Sequence, residues 1–287
     1  MRLAAILFAG LALASCSAGP AVSPQSVPDA SASFDVRVVE LVEQLGVPET
    51  RDNAREQLTA LGSEAVPILI HSLTHDVEQV RWESANMLGY LRADGAIGPL
   101  AERVIADESP HVRWRSLWAL ARFDARGEVV ARLLPGLASE NETTAWNAAV
   151  SLAFFGSPEG VETLHRGVRS PDPFRRWEAI NSLGRVHEGD ATVEALQPVL
   201  ESPSVRDRNE AVLTLGQIGG EAAMNALVGA LEDEAADVRW RAAMALGRAG
   251  DASVVSRLEA LAGSDPDEQV REHATKSASR IRMRGIR

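Results

Sequence analysis

Six tryptophans, Trp82, Trp114, Trp118, Trp146, Trp177 and Trp240, are the side chains of this sequence best suited to recognition chemistry. An indole offers a flat apolar face that stacks on sugars, bases or aromatic side chains, and an N–H that needs a partner. Glu83, Arg115, Asn147, Glu178, Asn181 and Arg241 stand beside them in the chain and would add polar contacts. Placed at 100° intervals, these tryptophans point away from the apolar stripe of their helices, with Trp118 one turn beyond Trp114. The same rings could instead lie across the neighbouring helix and close the groove between layers, since large aromatic side chains are commonly recruited for packing area. Both readings stand at this point.

Other reactive residues are sparse. His71 and His75 are four apart, the spacing of metal ligands on one helix face, but no third ligand is placed and His75 falls in the turn before Val80. His111, His165 and His187 are single. Cys16 is the only cysteine, which rules out a disulfide framework or a thiolate metal site among the later residues. No Ser-His-acid spacing is present, and Gly216-Gln-Ile-Gly219-Gly220 follows a helix rather than a strand, so it is not a dinucleotide loop. No catalytic residue, metal site or cofactor is expected. The net charge of -11 argues against a sequence-independent nucleic-acid binder.

The elements that position the tryptophans come from one recurring line. Val238-Arg-Trp-Arg-Ala-Ala-Met-Ala-Leu-Gly247 is repeated with variations, and its third position reads Asp52, Trp82, Trp114, Trp146, Trp177, Asn209, Trp240 and Glu272, at intervals of 30 to 32 residues. A fixed period of that size means stacked repeats, none of which could bury its apolar stripe alone. Each period holds a first helix, A, such as Glu64–Leu73, Val129–Leu137 or Val254–Leu261, and a second, B, the recurring line itself. Ser109-Pro110, Ser170 to Pro173, Ser202-Pro203 and Asp265-Pro266 read as helix starts. Gly95, Gly156, Gly189, Gly219-Gly220 and Gly250 read as exits. The second position is Arg51, Arg81, Arg113, Arg176, Arg208, Arg239 and Arg271, interrupted by Ala145. These arginines suit a ladder of ion pairs between layers, with Asp76, Asp107, Asp172, Asp237 and Asp267 as partners.

The start of the chain is different. Met1 and Arg2 precede an apolar run from Leu3 to Ser15, too short to span a bilayer but long enough for a signal-peptide core. Residues 17–33, rich in Pro, Ser and Ala, read as a disordered tether. The expected organisation is therefore a leader over 1–15, Cys16 with the tether over 16–33, and a repeat domain over 34–287.

Two resemblances follow from these residues. Leu13-Ala14-Ser15-Cys16 resembles the lipobox of bacterial lipoproteins, which implies cleavage before Cys16 and lipidation of that residue, with Ser17 favouring the outer membrane. The V-R-x-x-A-x-x-x-L-G line resembles the HEAT-like repeats of phycobilisome lyases over Phe34 to Ile281. That likeness implies an all-α, right-handed α-solenoid of about eight helix pairs whose B helices line the concave side. Another HEAT-like family, deoxyhypusine hydroxylase, is a di-iron enzyme with His-Glu pairs near this register. Here the pairs are Trp82-Glu83 and Trp177-Glu178, and Glu272-His273 reverses the order, so the iron ligands are not matched.

The function read from the sequence is thus a non-catalytic scaffold or adaptor, anchored in the bacterial envelope through Cys16 and facing the periplasm. An envelope protein or peptide would bind on Trp82, Trp114, Arg115, Trp118, Trp146, Asn147, Trp177, Asn181, Trp240 and Arg241, with no nucleic acid involved. Envelope glycan is the alternative ligand, and a HEAT-repeat enzyme lacking the known metal ligands is the third reading.

Overall fold

Residues 30–186 and 189–285 of the computed structural model are described, with side chains from Val36 onward. The leader, Cys16, most of the tether and His187 lie outside them. The chain divides into two units, 1–37 and 38–287. The second unit, with the helix that crosses the boundary, holds the repeats.

Each period becomes a helix pair. The A helices are α1 (Ala30–Leu45), α3 (Val66–His71), α5 (Ile97–Ala106), α7 (Arg126–Leu133), α9 (Val161–Gly167), α11 (Gly189–Leu200), α13 (Gly220–Ala230) and α15 (Val255–Ser264). The B helices are α2 (Arg51–Leu61), α4 (Glu78–Leu91), α6 (Pro110–Leu120), α8 (Glu142–Phe154), α10 (Pro173–Leu183), α12 (Val205–Ile218), α14 (Ala236–Ala249) and α16 (Glu268–Gly285). α4 packs on α6, α8 on α10, α10 on α12, α12 on α14 and α14 on α16, and from α3 onward each A helix packs on its own B. The result is an all-α solenoid of eight pairs. No described helix is long and apolar enough to cross a membrane.

The recurring line explains this stacking. Its fifth position, Ala54, Ser84, Ser116, Ala148, Ala179, Ala211, Ala242 and Ala274, is fully buried in all eight pairs, because small residues let a helix lie close to its neighbours. Its ninth position carries a buried Leu in seven of them, from Leu58 to Leu246. The tenth is often Gly for a steric reason. A Cβ built on Gly89 would lie 2.7 Å from the Cα of Ala119 one layer on, and one on Gly216 would lie 2.8 Å from the Cβ of Ala245. Only a residue without a side chain permits that approach.

Capping sets the register of the B helices. The Ser109 hydroxyl accepts from Val112 N at 3.4 Å, Asn141 Oδ1 from Thr143 N at 2.9 Å, and Asp172 Oδ1 from Phe174 N at 3.0 Å. Pro110 and Pro173 occupy first-turn positions, where the missing N–H costs nothing. The exits differ in part from expectation. Gly156 and Gly219 adopt positive φ, but Gly250 does not, and α4 ends on Arg92 at φ 48° rather than on Gly95.

The arginine ladder exists, with different acids. Arg81, Arg208 and Arg239 each grip one carboxylate of the next layer through Nε and Nη2: Asp107 at 3.0 and 3.1 Å, Asp233 at 2.8 and 2.9 Å, and Asp265 at 2.7 and 3.0 Å. Their Nη1 donates to carbonyls five or six residues back in the turn, as Arg81 does to His75 O at 2.9 Å. Of the five acids read as partners, only Asp107 serves. Asp172 caps α10, the Asp267 carboxylate accepts from Val270 N, and the Asp237 carboxylate accepts from Trp240 Nε1. The working acids sit where the A helix ends, as Asp107 and Asp265 do, so they face the arginine of the preceding layer.

Candidate functional site

The tryptophans do not form one uniform row. Trp114 and Trp118 are 43 % and 57 % exposed, whereas Trp146 is only 8 % exposed. Trp82, Trp177 and Trp240 are half-buried, each against a neighbour. The Arg115 guanidinium covers Trp82 at 4.0 Å, Arg241 covers Trp240 at 4.4 Å, and Trp240 also stacks on His273 at 4.9 Å. Trp177 tilts against Phe174 at 5.8 Å, and Trp118 meets the edge of Phe154 at 5.6 Å. Helical periodicity points these rings out of their own helix's seam, but it carries no information on what the next layer lays over them.

Three B helices converge on a cavity of about 280 Å³. Arg113 and Trp114 come from α6, Trp146 and Asn147 from α8, and Phe174, Arg175 and Glu178 from α10. Trp146 is the buried wall. Its six-membered ring rests where a methyl on Gly167 would stand, and its Nε1 donates to Glu178 Oε2 at 2.6 Å. Arg175, ion-paired with Glu142, lies over the same ring at 4.8 Å. Burial pushes the Glu178 carboxyl above the ordinary carboxylate range, against the opposing pull of the Trp146 hydrogen bond and the Arg113 and Arg175 charges. A carboxyl perturbed by desolvation inside an aromatic cleft is the kind of group that active sites use.

Among the residues read as a binding face, the cavity collects Trp114, Trp146 and Asn147. A smaller cavity of about 40 Å³ next to it brings in Trp177 and Asn181. Trp82 with Arg115, Trp118, and Trp240 with Arg241 line neither cavity. Asn147 is also structural, since its Nδ2 donates to Ile105 O at 3.1 Å. Trp146, expected on an open face, is mostly packing. Phe174, 60 % exposed at the rim, Arg113 and Arg175 were not singled out by the sequence as parts of a cleft. The adjacent Trp177-Glu178 pair was the available signal for the carboxyl.

The carboxylates and imidazoles that could ligate a metal are each engaged elsewhere. The Glu83 carboxylate is 1 % exposed and held by Arg55 at 3.2 and 3.3 Å and by Gln79 at 3.3 Å. Glu178 is committed to Trp146, and the His273 ring to Trp240. His75 accepts from Val77 N at 3.0 Å and meets Glu43 at 3.2 Å, in the turn after α3 and away from any partnership with His71. Among the described residues no three His, Cys, Asp or Glu converge on a point where a metal ion could sit. The His-Glu iron set of deoxyhypusine hydroxylases does not fit these residues.

Comparison with known proteins adds what geometry alone does not. The family model for HEAT repeats matches residues 38–121, 66–140, 130–213 and 193–279. Deoxyhypusine hydroxylase-B of Oryza sativa subsp. japonica is 29 % identical over 243 residues, 79 % of this chain and 76 % of that protein. Deoxyhypusine hydroxylase of Arabidopsis thaliana is 28 % identical over 192 residues, 63 % of this chain and 59 % of its own length. The complex of CpcE and CpcF of phycocyanin lyase from Nostoc sp. PCC7120 aligns at 18 % identity with a TM-score of 0.44, covering 75 % of this chain and 94 % of that one. The two hydroxylases correct two expectations. A non-catalytic scaffold and the absence of enzymatic activity were inferred from missing motifs, yet the curated relatives are named as hydroxylases. On the sequence that family is set aside because its His-Glu pairs are not matched at Trp82-Glu83 and Trp177-Glu178.

Proposed function

We propose, from the premise that this chain belongs to the HEAT-repeat family, that it is a HEAT-repeat enzyme of the deoxyhypusine-hydroxylase type that binds an amine-bearing side chain in the cavity between α6, α8 and α10. The observation that carries the reading is Glu178, a carboxyl held in an aromatic cleft where burial makes its charge costly. An ammonium group entering beside it would offset that cost, and Trp114 and Phe174 offer faces to its apolar stem. Glu178 would pair with the bound ammonium and so fix the position of the amine in the cleft. The iron chemistry of the relatives has no ligand set here, and no step is routed through it.

Full-length protein mixed with a deoxyhypusine-bearing peptide should show saturable quenching of tryptophan fluorescence. Glu178→Gln should bind the peptide at least about tenfold more weakly than the wild type. Absence of saturable binding, or equal binding by Glu178→Gln, would overturn the assignment. Lipid anchoring at Cys16, with placement at the outer membrane, is a separate part of the proposal. A mature N-terminus that carries no acyl chains would remove it.

A further inference from the structure

The ladder is interrupted beside the cavity. The residue that ends each A segment repeats as Asp107, Ser139, Ser170, Ser202, Asp233 and Asp265, and each one's side chain accepts from the backbone N–H two residues on. Those six positions are therefore equivalent in structure. Three are aspartates that grip an arginine of the preceding layer, and three are serines. Arg176 compensates for Ser202 by turning to Asp207 at 3.1 Å. Arg113, the partner-in-register of Ser139, has no such substitute.

Arg113 does keep the inner half of the motif. Its Nη1 donates to Asp107 O at 2.9 Å and to Glu108 O at 3.2 Å, so the guanidinium is held in the same pose as its siblings. Its Nε and Nη2, the edge that clasps a carboxylate in Arg81, Arg208 and Arg239, make no hydrogen bond among the described residues. Arg113 lines the cavity that holds Glu178. The next layer lacks its own arginine as well, since Ala145 stands at that place. Two consecutive rungs are thus missing where the cleft opens.

We infer that the free edge of Arg113 is a built carboxylate site, so that the cavity takes a bipolar ligand whose acid group docks on Arg113 Nε and Nη2 while its body lies along Trp114 and Trp146. The fork is already aimed and oriented by two carbonyls, and a carboxylate matches it with two parallel hydrogen bonds. The ligand completes the rung that Ser139 leaves open. The inference rests on the proposed function only for the amine end at Glu178. For that reading, the substrate is an amine-bearing side chain with an acidic group within the span of the cleft.

Calorimetric titration of the full chain with two simple probes separates the claims. 3-Phenylpropionate, which has only the acid, should bind the wild type and lose at least about tenfold in affinity with Arg113→Met. Ser139→Asp should do the same by restoring the rung and occupying the fork, and it leaves the cavity walls intact and the fold at least as stable. Glu178→Gln should bind that probe at least as tightly as the wild type, because it removes a negative charge that acts on Arg113. Phenethylamine, which has only the amine, should show the opposite pattern. If 3-phenylpropionate fails to bind, or binds Ser139→Asp as it binds the wild type, the carboxylate site is refuted. If phenethylamine is indifferent to Glu178→Gln, the proposed function falls and the Arg113 site stands.

Discussion

Replacing Trp146 with alanine should cost far more stability than the same change at Trp114, although both occupy the third position of the recurring line. Trp146 is 8 % exposed and wedges between α8 and the next layer, where its neighbours Gly167 and Ala179 are too small to move in and fill the space. A buried Trp→Ala truncation costs about 3–5 kcal/mol, with the upper part of the range applying where the site cannot collapse. The change also removes the N–H that serves Glu178 at 2.6 Å, leaving a half-buried carboxyl without its donor. Trp114 is 43 % exposed, and its truncation should stay within about 1 kcal/mol. Urea denaturation followed by far-UV circular dichroism avoids the loss of fluorescence that either change causes, and midpoints can be compared even where a long repeat stack departs from two-state behaviour. Trp146→Phe should fall between the two, since it keeps most of the area and loses the donor. If Trp146→Ala and Trp114→Ala shift the midpoint equally, the distinction between wall and open ring is wrong.

Three further outcomes are expected. Burial raises the folded-state pKa of Glu178, so the folded chain holds that proton more tightly than the unfolded one, and stability falls as pH rises from the ordinary carboxylate value through the raised one; Glu178→Gln should remove this slope in melting temperature against pH and be neutral or stabilising near pH 7. Asp265 has the opposite sign, because the hydrogen bond from Arg239 lowers its pKa and its contribution is present above the ordinary value and lost as pH falls through the folded one; Asp265→Asn should cost about 3 kcal/mol at neutral pH and nothing in strong acid, measured by denaturation at both. Gly89→Ala should cost about 1–3 kcal/mol by forcing α4 away from Ala119, read as a lowered melting temperature, while alanine at Gly127, which meets no neighbour, should not.

Much of the fold was readable because a solenoid repeats its own evidence. Eight copies of one line fixed the period, the helix pairs and the buried column from Ala54 to Ala274 without any single copy being decisive. What failed involved contacts between layers. The acids chosen for the ladder were those nearest the B helix in sequence, such as Asp237 and Asp267, whereas the arginines reach acids in the linker of the following unit. Trp146 and Trp114 share a register and differ in burial, and Gly167 makes room for the Trp146 ring in the next layer. The free edge of Arg113 comes from a departure from the repeat, Ser139, and a departure has meaning only once the rule it breaks is seen in three dimensions.

The missing rungs have a mechanical side. Where Arg81, Arg208 and Arg239 tie successive layers, sliding one layer against the next breaks short directional bonds; around Ser139 and Ala145 it breaks fewer. A stretched molecule would be expected to yield first at its middle, parting α6, α8 and α10, the same three helices that wall the cleft. A ligand clasped by Arg113 and Glu178 would then act as a splint, and tension and occupancy would report on each other.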